Sequence, residues 1–226
     1  MKKLIRIWDL PIRLFHWLLV ACIVASFITV EIGGNAMEWH AILGYCILVL
    51  VVFRICWGFV GSHHARFVHF IPSPRRLFTY ISGGSKASLG HNPLGALSVL
   101  ALLTSIGLQA VTGLFANDDI AFEGPFAKYV SSGTVEFLTS LHHLNEKILI
   151  ILIVLHLCAI LYYQKFKGDN LIGPMILGDK EIDPSEESKY LTADLGHASK
   201  DRGLQRGLAL LLLSLIAVIL GYFITA

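Results

Sequence analysis

Four histidines stand at or within long apolar segments of this chain, where an ionisable side chain is costly: His16, His40, His142 and His156. Imidazole nitrogen is a common axial ligand of haem iron. Two imidazoles on one iron leave no open position, which favours electron transfer over oxygen activation. The pattern therefore predicts haem iron held by paired histidines inside a membrane.

The spacing of these histidines predicts two such pairs at two depths. His156 follows His142 by fourteen residues (156 − 142), so on a helix they lie within ~40° of one face and ~21 Å apart along the axis. We expect His16 to pair with His156 near the cytoplasmic surface, and His40 with His142 near the periplasmic surface. His143 is the alternative to His142, although a helix turns it ~140° from the face of His156.

The composition of the chain indicates the elements that must hold these ligands. Hydrophobic residues make up 55% and charged residues 15%, whereas soluble domains carry about 25% charged residues. Five apolar runs approach the ~20 residues that cross a bilayer as a helix: 14–30, 40–60, 94–115, 148–163 and 204–224. The predicted fold class is all-α integral membrane, with a four-helix transmembrane haem-binding bundle and a fifth C-terminal transmembrane helix.

The distribution of Lys and Arg predicts the orientation. Basic residues are concentrated in 1–13 and in the acid-free connection 61–93, whereas 31–39 has none and 116–146 has five acids against Lys128 alone. The positive-inside rule then puts the N-terminus in the cytoplasm and, after five spans, the C-terminus in the periplasm. We expect a multi-pass protein of the bacterial inner (cytoplasmic) membrane. Its predicted divisions are a di-haem domain at 1–180, a solvated cytoplasmic linker at 181–203 and the last helix at 204–226.

The other polar groups have less specific interpretations. Arg54 follows His40 by fourteen residues (54 − 40), so it can contact a propionate of the inner haem or extend to lipid headgroups. Five further histidines lie in cytoplasmic connections, where solvated or headgroup-facing roles are expected: His63, His64, His69, His91 and His197. No C-x-x-C-H motif occurs, which argues against covalently attached haem.

Four segments together resemble a known family, the bacterial di-haem cytochromes b561 that include the b-type subunit of nickel–iron hydrogenases. They are IWDLPIRLFHW at 7–17, HAILGY at 40–45, RICWGFVGS at 54–62, and the stretch from His142 to His156. The resemblance implies four core helices, two bis-histidine haems, and electron exchange between a quinone pool and a periplasmic partner. The family commonly has Glu directly after its third haem ligand, whereas in this chain His143 follows His142. The fifth helix is a second departure from the family pattern. Three roles stay open for it: capping the bundle, supporting a homodimer, and holding a partner subunit.

The predicted function is that of a di-haem b-type membrane cytochrome, with two non-covalent haems b and quinone as substrate. We expect an electron-transfer subunit of a quinone-linked respiratory oxidoreductase rather than a stand-alone enzyme. Its predicted partners are the lipid bilayer, quinone or quinol, and a periplasmic cytochrome c or hydrogenase-like redox protein, with no nucleic acid. Two alternatives stay open: a superoxide:quinone oxidoreductase, which the acid-rich outer side disfavours, and a non-catalytic membrane anchor or assembly subunit.

Overall fold

A computed structural model describes residues 3–84, 88–118, 122–185, 190, 197–199 and 201–225. Lys86 and Asp119, which contributed to the predicted orientation, lie outside the described residues, as does most of the stretch between 186 and 196. The helices and strands, in chain order, are β1 (Lys3–Arg6), α1 (Leu10–Ile32), α2 (Ala36–Val60), α3 (Phe67–Phe70), α4 (Pro74–Ile81), α5 (Pro93–Gly113), α6 (Ser132–Phe166), α7 (Ile172–Leu177), β2 (Asp179–Ile182) and α8 (Gly203–Thr225).

The five long helices confirm the predicted fold class. Helices α1, α2, α5, α6 and α8 are each long and apolar enough to cross a membrane. Their many exposed Leu, Ile, Val and Phe side chains suit a hydrocarbon solvent, where a helix satisfies its own backbone hydrogen bonds. In the described part of the connection between α2 and α5 the helices are short: α3, α4 and a 3-10 turn at His63–Ala65, as its Pro and Gly residues predict.

Helix α6 begins much earlier than the apolar run at 148–163 predicts. It starts at Ser132 and has 35 residues, because the polar turns that precede the apolar run are helical too. The hydroxyl oxygen of Ser131 accepts a hydrogen bond from the backbone N–H of Thr134 at 3.3 Å and so caps the helix. His142 and His156 therefore lie on one continuous helix, as the spacing argument requires.

The described residues form two compact units, and each contains part of every long helix. The first comprises Met1–Leu14, Ile55–Leu100 and Val154–Ala209, and the second Phe15–Arg54, Ala101–Ile153 and Leu210–Ala226. The predicted division at 180 and 203 stays a prediction.

The first unit contains a short sheet that the sequence analysis did not predict. Strands β1 and β2 pair antiparallel, with Lys3 opposite Ile182 and Arg6 opposite Asp179. Ile182 is buried, and so is Ser199, whose backbone N–H donates to the carbonyl of Arg6 at 2.7 Å. The stretch that was predicted to be a solvated linker is therefore partly folded against the N-terminus.

Ion pairs hold this sheet in place. The Arg6 guanidinium donates to both carboxylate oxygens of Asp179, at 2.5 and 2.8 Å, and to Asp201 at 2.8 Å. Arg206 also binds Asp201, at 2.9 Å. The hydrogen bond from Arg206, more than the charge of Arg6, lowers the pKa of the Asp201 carboxyl. The acids of this segment thus neutralise part of the basic N-terminus.

A buried carboxyl group joins two of the segments that carried the family resemblance. Asp9 is fully buried and precedes α1, and its Oδ1 accepts a hydrogen bond from the backbone N–H of Ile12 at 2.9 Å. Its Oδ2 accepts one from the indole N–H of Trp57 at 3.0 Å. Trp57 is also fully buried. Asp9 therefore caps α1 and ties it to the end of α2, all within the first unit.

Candidate haem-binding site

His40 and His142 come together in the second unit, from α2 and α6. Their ring centres are 6.4 Å apart and the ring planes are inclined at 80°. An iron with a bond of about 2 Å to a nitrogen on each side, plus about 1 Å from nitrogen to ring centre, separates two imidazole centres by about 6 Å. The spacing of this pair therefore suits two ligands on opposite sides of one iron.

Each of these imidazoles is oriented by a backbone carbonyl. Nδ1 of His40 lies 3.0 Å from the carbonyl oxygen of Ser26 on α1, and Nδ1 of His142 lies 3.0 Å from that of Gln109 on α5. Since a carbonyl only accepts, Nδ1 must carry the proton in both rings. The unprotonated Nε2 of each is then left to bind a metal, the usual arrangement for histidine ligands.

A cavity surrounds the two rings, and its walls suit a large apolar ligand. Its lining includes Ile23, Phe27, Ile106 and Leu149 besides the two histidines. Such walls with a few directed polar groups are typical of cofactor sites. With the nitrogen donors and their spacing, the cavity makes these residues a fit for haem.

Two glycines leave the room that this arrangement needs. A Cβ added to Gly113 would lie 3.1 Å from Cε1 of His142, so a side chain there would press on the ring. A Cβ added to Gly44, one turn after His40, would meet nothing within 4 Å, and Gly44 lines the cavity. Gly113 thus admits the imidazole, and Gly44 keeps the wall of the cavity open.

His143 is placed differently from its neighbour. Its side chain is 69% exposed, and its Nδ1 lies 4.0 Å from a carboxylate oxygen of Glu146. The structure therefore brings His142, rather than His143, against His40.

The other predicted site residues are not among those that line this cavity. His16 is half-buried on α1, with its ring edge-on to Trp17 at 5.0 Å, and His156 is half-buried on α6. His16 belongs to the second unit and His156 to the first, so their pairing stays a prediction. Arg54 is only 3% exposed, so its guanidinium does not reach out to the surface as the headgroup interpretation requires.

Histidines of the connecting segments form a stack in the first unit. The ring of His63 lies between those of His69, at 4.0 Å, and His197, at 4.5 Å, and is nearly parallel to both. His64 meets His63 edge-on and is buried. Among the described residues, no group of three or more His, Cys, Asp or Glu side chains is arranged to hold a metal ion. Within the stack His69 and His197 are exposed, as expected, whereas His63 is half-buried and His64 is buried.

Acidification should weaken this stack. Burial is the largest cause that lowers the pKa of His63 to about 4. The charges of nearby basic side chains lower it further: His69, His64, His197 and Arg66. An unfolded chain takes up the same proton near pH 6.5, so stability is lost as the pH falls from about 6.5 towards 4.

We therefore expect the apparent Tm in detergent to fall by roughly 2–4 °C more in the wild type than in His63→Phe between pH 7.5 and 4.5. Differential scanning fluorimetry at several pH values measures this. Equal losses in the two proteins would show that His63 does not contribute to the pH dependence.

Four polar residues near His142 were not predicted as part of the site. Ser105, Gln109 and Thr112 share one face of α5, and Asn145 lies one turn after His142 on α6. Ser105, Thr112 and Asn145 are buried. Their signal in the sequence is a polar residue every three or four positions in an otherwise apolar helix, the spacing of a helix face that packs on a neighbour.

The fold and the site define a class: membrane proteins that place paired histidines in apolar helices to hold haem. The profile of the prokaryotic cytochrome b561 family matches residues 7–178, so the chain belongs to this family, whose fold is a membrane helical bundle. The protein is therefore a multi-pass b-type cytochrome of electron transport, and its cofactor is haem b.

The sequence identity to individual relatives is low. The chain is 24% identical to a probable Ni/Fe-hydrogenase B-type cytochrome subunit of Azotobacter chroococcum, over 76% of this chain and 86% of that protein. It is also 24% identical to one of Bradyrhizobium diazoefficiens, over 80% and 87%. The probable Ni/Fe-hydrogenase 1 B-type cytochrome subunit of Escherichia coli K12 is 22% identical, over 76% and 88%.

Proposed function

We propose that this cytochrome holds two haems b and carries electrons between the quinone pool and a periplasmic redox partner of the hydrogenase type. The supporting observation is the geometry of His40 and His142, whose ring centres lie 6.4 Å apart. Both Nδ1 atoms are turned to backbone carbonyls, an arrangement that suits an axial ligand and that a packing role alone does not require.

In this proposal the side chains bind and orient, and they break no bonds. Bound haem supplies a one-electron redox centre. His40 and His142 would hold the iron of one haem near the periplasmic surface and would leave it no open position for oxygen or water. The carbonyls of Ser26 and Gln109 keep both rings in the tautomer that binds metal.

His16 and His156 are proposed as the ligands of the second haem, near the cytoplasmic surface. Fourteen residues of one continuous helix separate His142 from His156 (156 − 142), about 21 Å. Arg54 is buried, and its contact with a propionate of this haem stays a prediction.

The proposed partners follow from the relatives and from charge. The relatives are named as hydrogenase subunits, so a hydrogenase is the preferred partner, with cytochrome c as the alternative. The described part of the connection between α5 and α6, which is periplasmic in this proposal, carries Asp118 and Glu123, and these acids favour a basic docking surface. The basic N-terminus favours a cytoplasmic start in a bacterial inner membrane. A homodimer through α8 stays a prediction.

One preparation tests both ends of this electron path. The tagged chain is purified from its native membranes in mild detergent, and reduced-minus-oxidised spectra and a pyridine haemochrome count are recorded. We expect two low-spin haems b per chain. A short-chain quinol should reduce part of the haem, and hydrogen gas should reduce it only in fractions that contain the co-purified partner.

The outcomes separate the alternatives. Haem that responds to neither quinol nor quinone would contradict the quinone link, and haem that stays oxidised under hydrogen with a partner present would contradict the hydrogenase link. A co-purified partner without any haem would support the membrane-anchor function instead.

A further inference from the structure

A buried asparagine lies beside the candidate ligand His142. Asn145 follows it by one turn on α6 and is 3% exposed. A primary amide in a membrane helix is costly unless its donors and acceptor are satisfied. Its position therefore calls for specific partners.

Among the described residues, the hydrogen-bond partners of the Asn145 side chain lie on α5. Its Nδ2 donates to the carbonyl oxygen of Ser105 at 2.9 Å and to Oε1 of Gln109 at 2.7 Å. Its Oδ1 accepts from the Ser105 hydroxyl at 3.0 Å. Both amide hydrogens and the amide oxygen are thus used, and the two helices are locked in register at this point.

Gln109 connects these hydrogen bonds between α5 and α6 to the imidazole of His142. Asn145 holds the side chain of Gln109, and the backbone carbonyl of Gln109 lies 3.0 Å from Nδ1 of His142. The buried hydroxyl of Thr112 lies 3.1 Å from the same Nδ1 and donates to the carbonyl of Leu108 at 2.8 Å. One hydrogen-bonded network therefore runs from Asn145 through Gln109 to His142.

We propose that Asn145 is a positioning residue for His142: by holding Gln109 and locking α5 to α6, it fixes the ring in the Nδ1-protonated, iron-binding orientation. This inference rests on the proposed function, since it takes His142 as an axial ligand. Asn145 is not among the residues that line the cavity, so it would act on the bond between His142 and the iron only through the orientation of the ring. His40 has a carbonyl partner on a different helix and is not part of this network.

The test compares Asn145→Leu, which removes all three hydrogen bonds but keeps a side chain branched at Cγ, with Leu144→Ala, a change at the exposed neighbouring residue. Haem release is followed by transfer to excess apomyoglobin. We expect one of the two haems to leave about tenfold faster in Asn145→Leu, the loss typical when a partner behind a metal ligand is removed. The other haem should keep its wild-type rate, as should both haems in Leu144→Ala.

Electron paramagnetic resonance supplies a readout that a purely structural role would not move. The low-spin signal of one haem should shift in Asn145→Leu, because it reports the orientation of the axial imidazoles. Asn145→Asp, which keeps one acceptor and, when protonated, one donor, should restore much of the wild-type signal and release rate.

Each outcome decides a different question. No haem in the wild type would overturn the proposed function itself. Two haems in the wild type, with the same release rates and signals in Asn145→Leu, would overturn the positioning role alone. If Asn145→Leu loses both haems through misfolding, Gln109→Leu decides in its place, since it keeps the carbonyl but removes the acceptor that Asn145 holds. Wild-type behaviour of that variant would equally contradict the proposal.

Discussion

Replacing His142 with leucine should lower the haem content of the purified protein from two per chain to one. His142 faces His40 at 6.4 Å between ring centres, so the substitution removes one of the two proposed ligands of this haem and leaves an apolar group in its place. His40→Leu should have the same effect, and the double variant should lose no more haem than either single variant. A pyridine haemochrome count with the protein concentration measures the change.

The adjacent histidine provides a matched control at the same depth of the same helix. His143→Leu should retain both haems, because the His143 side chain is 69% exposed and lies near Glu146 instead. The opposite result, with His143→Leu losing one haem and His142→Leu keeping two, would reverse the assignment of the ligand. Loss of haem from both variants would show that the fold itself requires both His142 and His143.

Replacing Asp9 with leucine should destabilise the protein by about 2–4 kcal/mol. The change removes the cap of α1, a loss of about 1 kcal/mol, and leaves the indole N–H of Trp57 buried without its acceptor, a further loss of about 1–3 kcal/mol. Both hydrogen bonds lie in a fully buried setting. The expected fall in apparent Tm is roughly 5–15 °C, measured by thermal unfolding in detergent.

A double-mutant cycle isolates the hydrogen bond from the cap. Asp9→Asn keeps an oxygen for the N–H of Ile12 but turns an amide donor towards Trp57, so it should be destabilising to a smaller degree than Asp9→Leu. Trp57→Phe removes the indole donor, and the cost of Asp9→Asn should shrink in that background. A cost that is equal in both backgrounds would show that the Asp9–Trp57 bond contributes nothing measurable.

The sequence is sufficient for the properties that depend on local composition. Five apolar segments of membrane-spanning length appear as five long helices, because in hydrocarbon a helix satisfies its backbone polar groups within its own segment. The candidate ligands could be predicted for a similar reason, since histidine at membrane depth needs a specific function. The start of α6 could not, because its first turns are polar and do not stand out from a loop.

The properties that only the tertiary structure decided are those that join residues far apart in the chain. Whether His142 or His143 faces His40 depends on the rotation of α6, and the carbonyls of Ser26 and Gln109 became partners of imidazoles only through the packing of four helices. The pairing of β1 with β2 joins residues that lie just outside the two ends of the segment 7–178 that matches the family. Helix and span formation are determined by each segment's own hydrogen bonds and hydropathy, whereas these contacts depend on how separate segments pack.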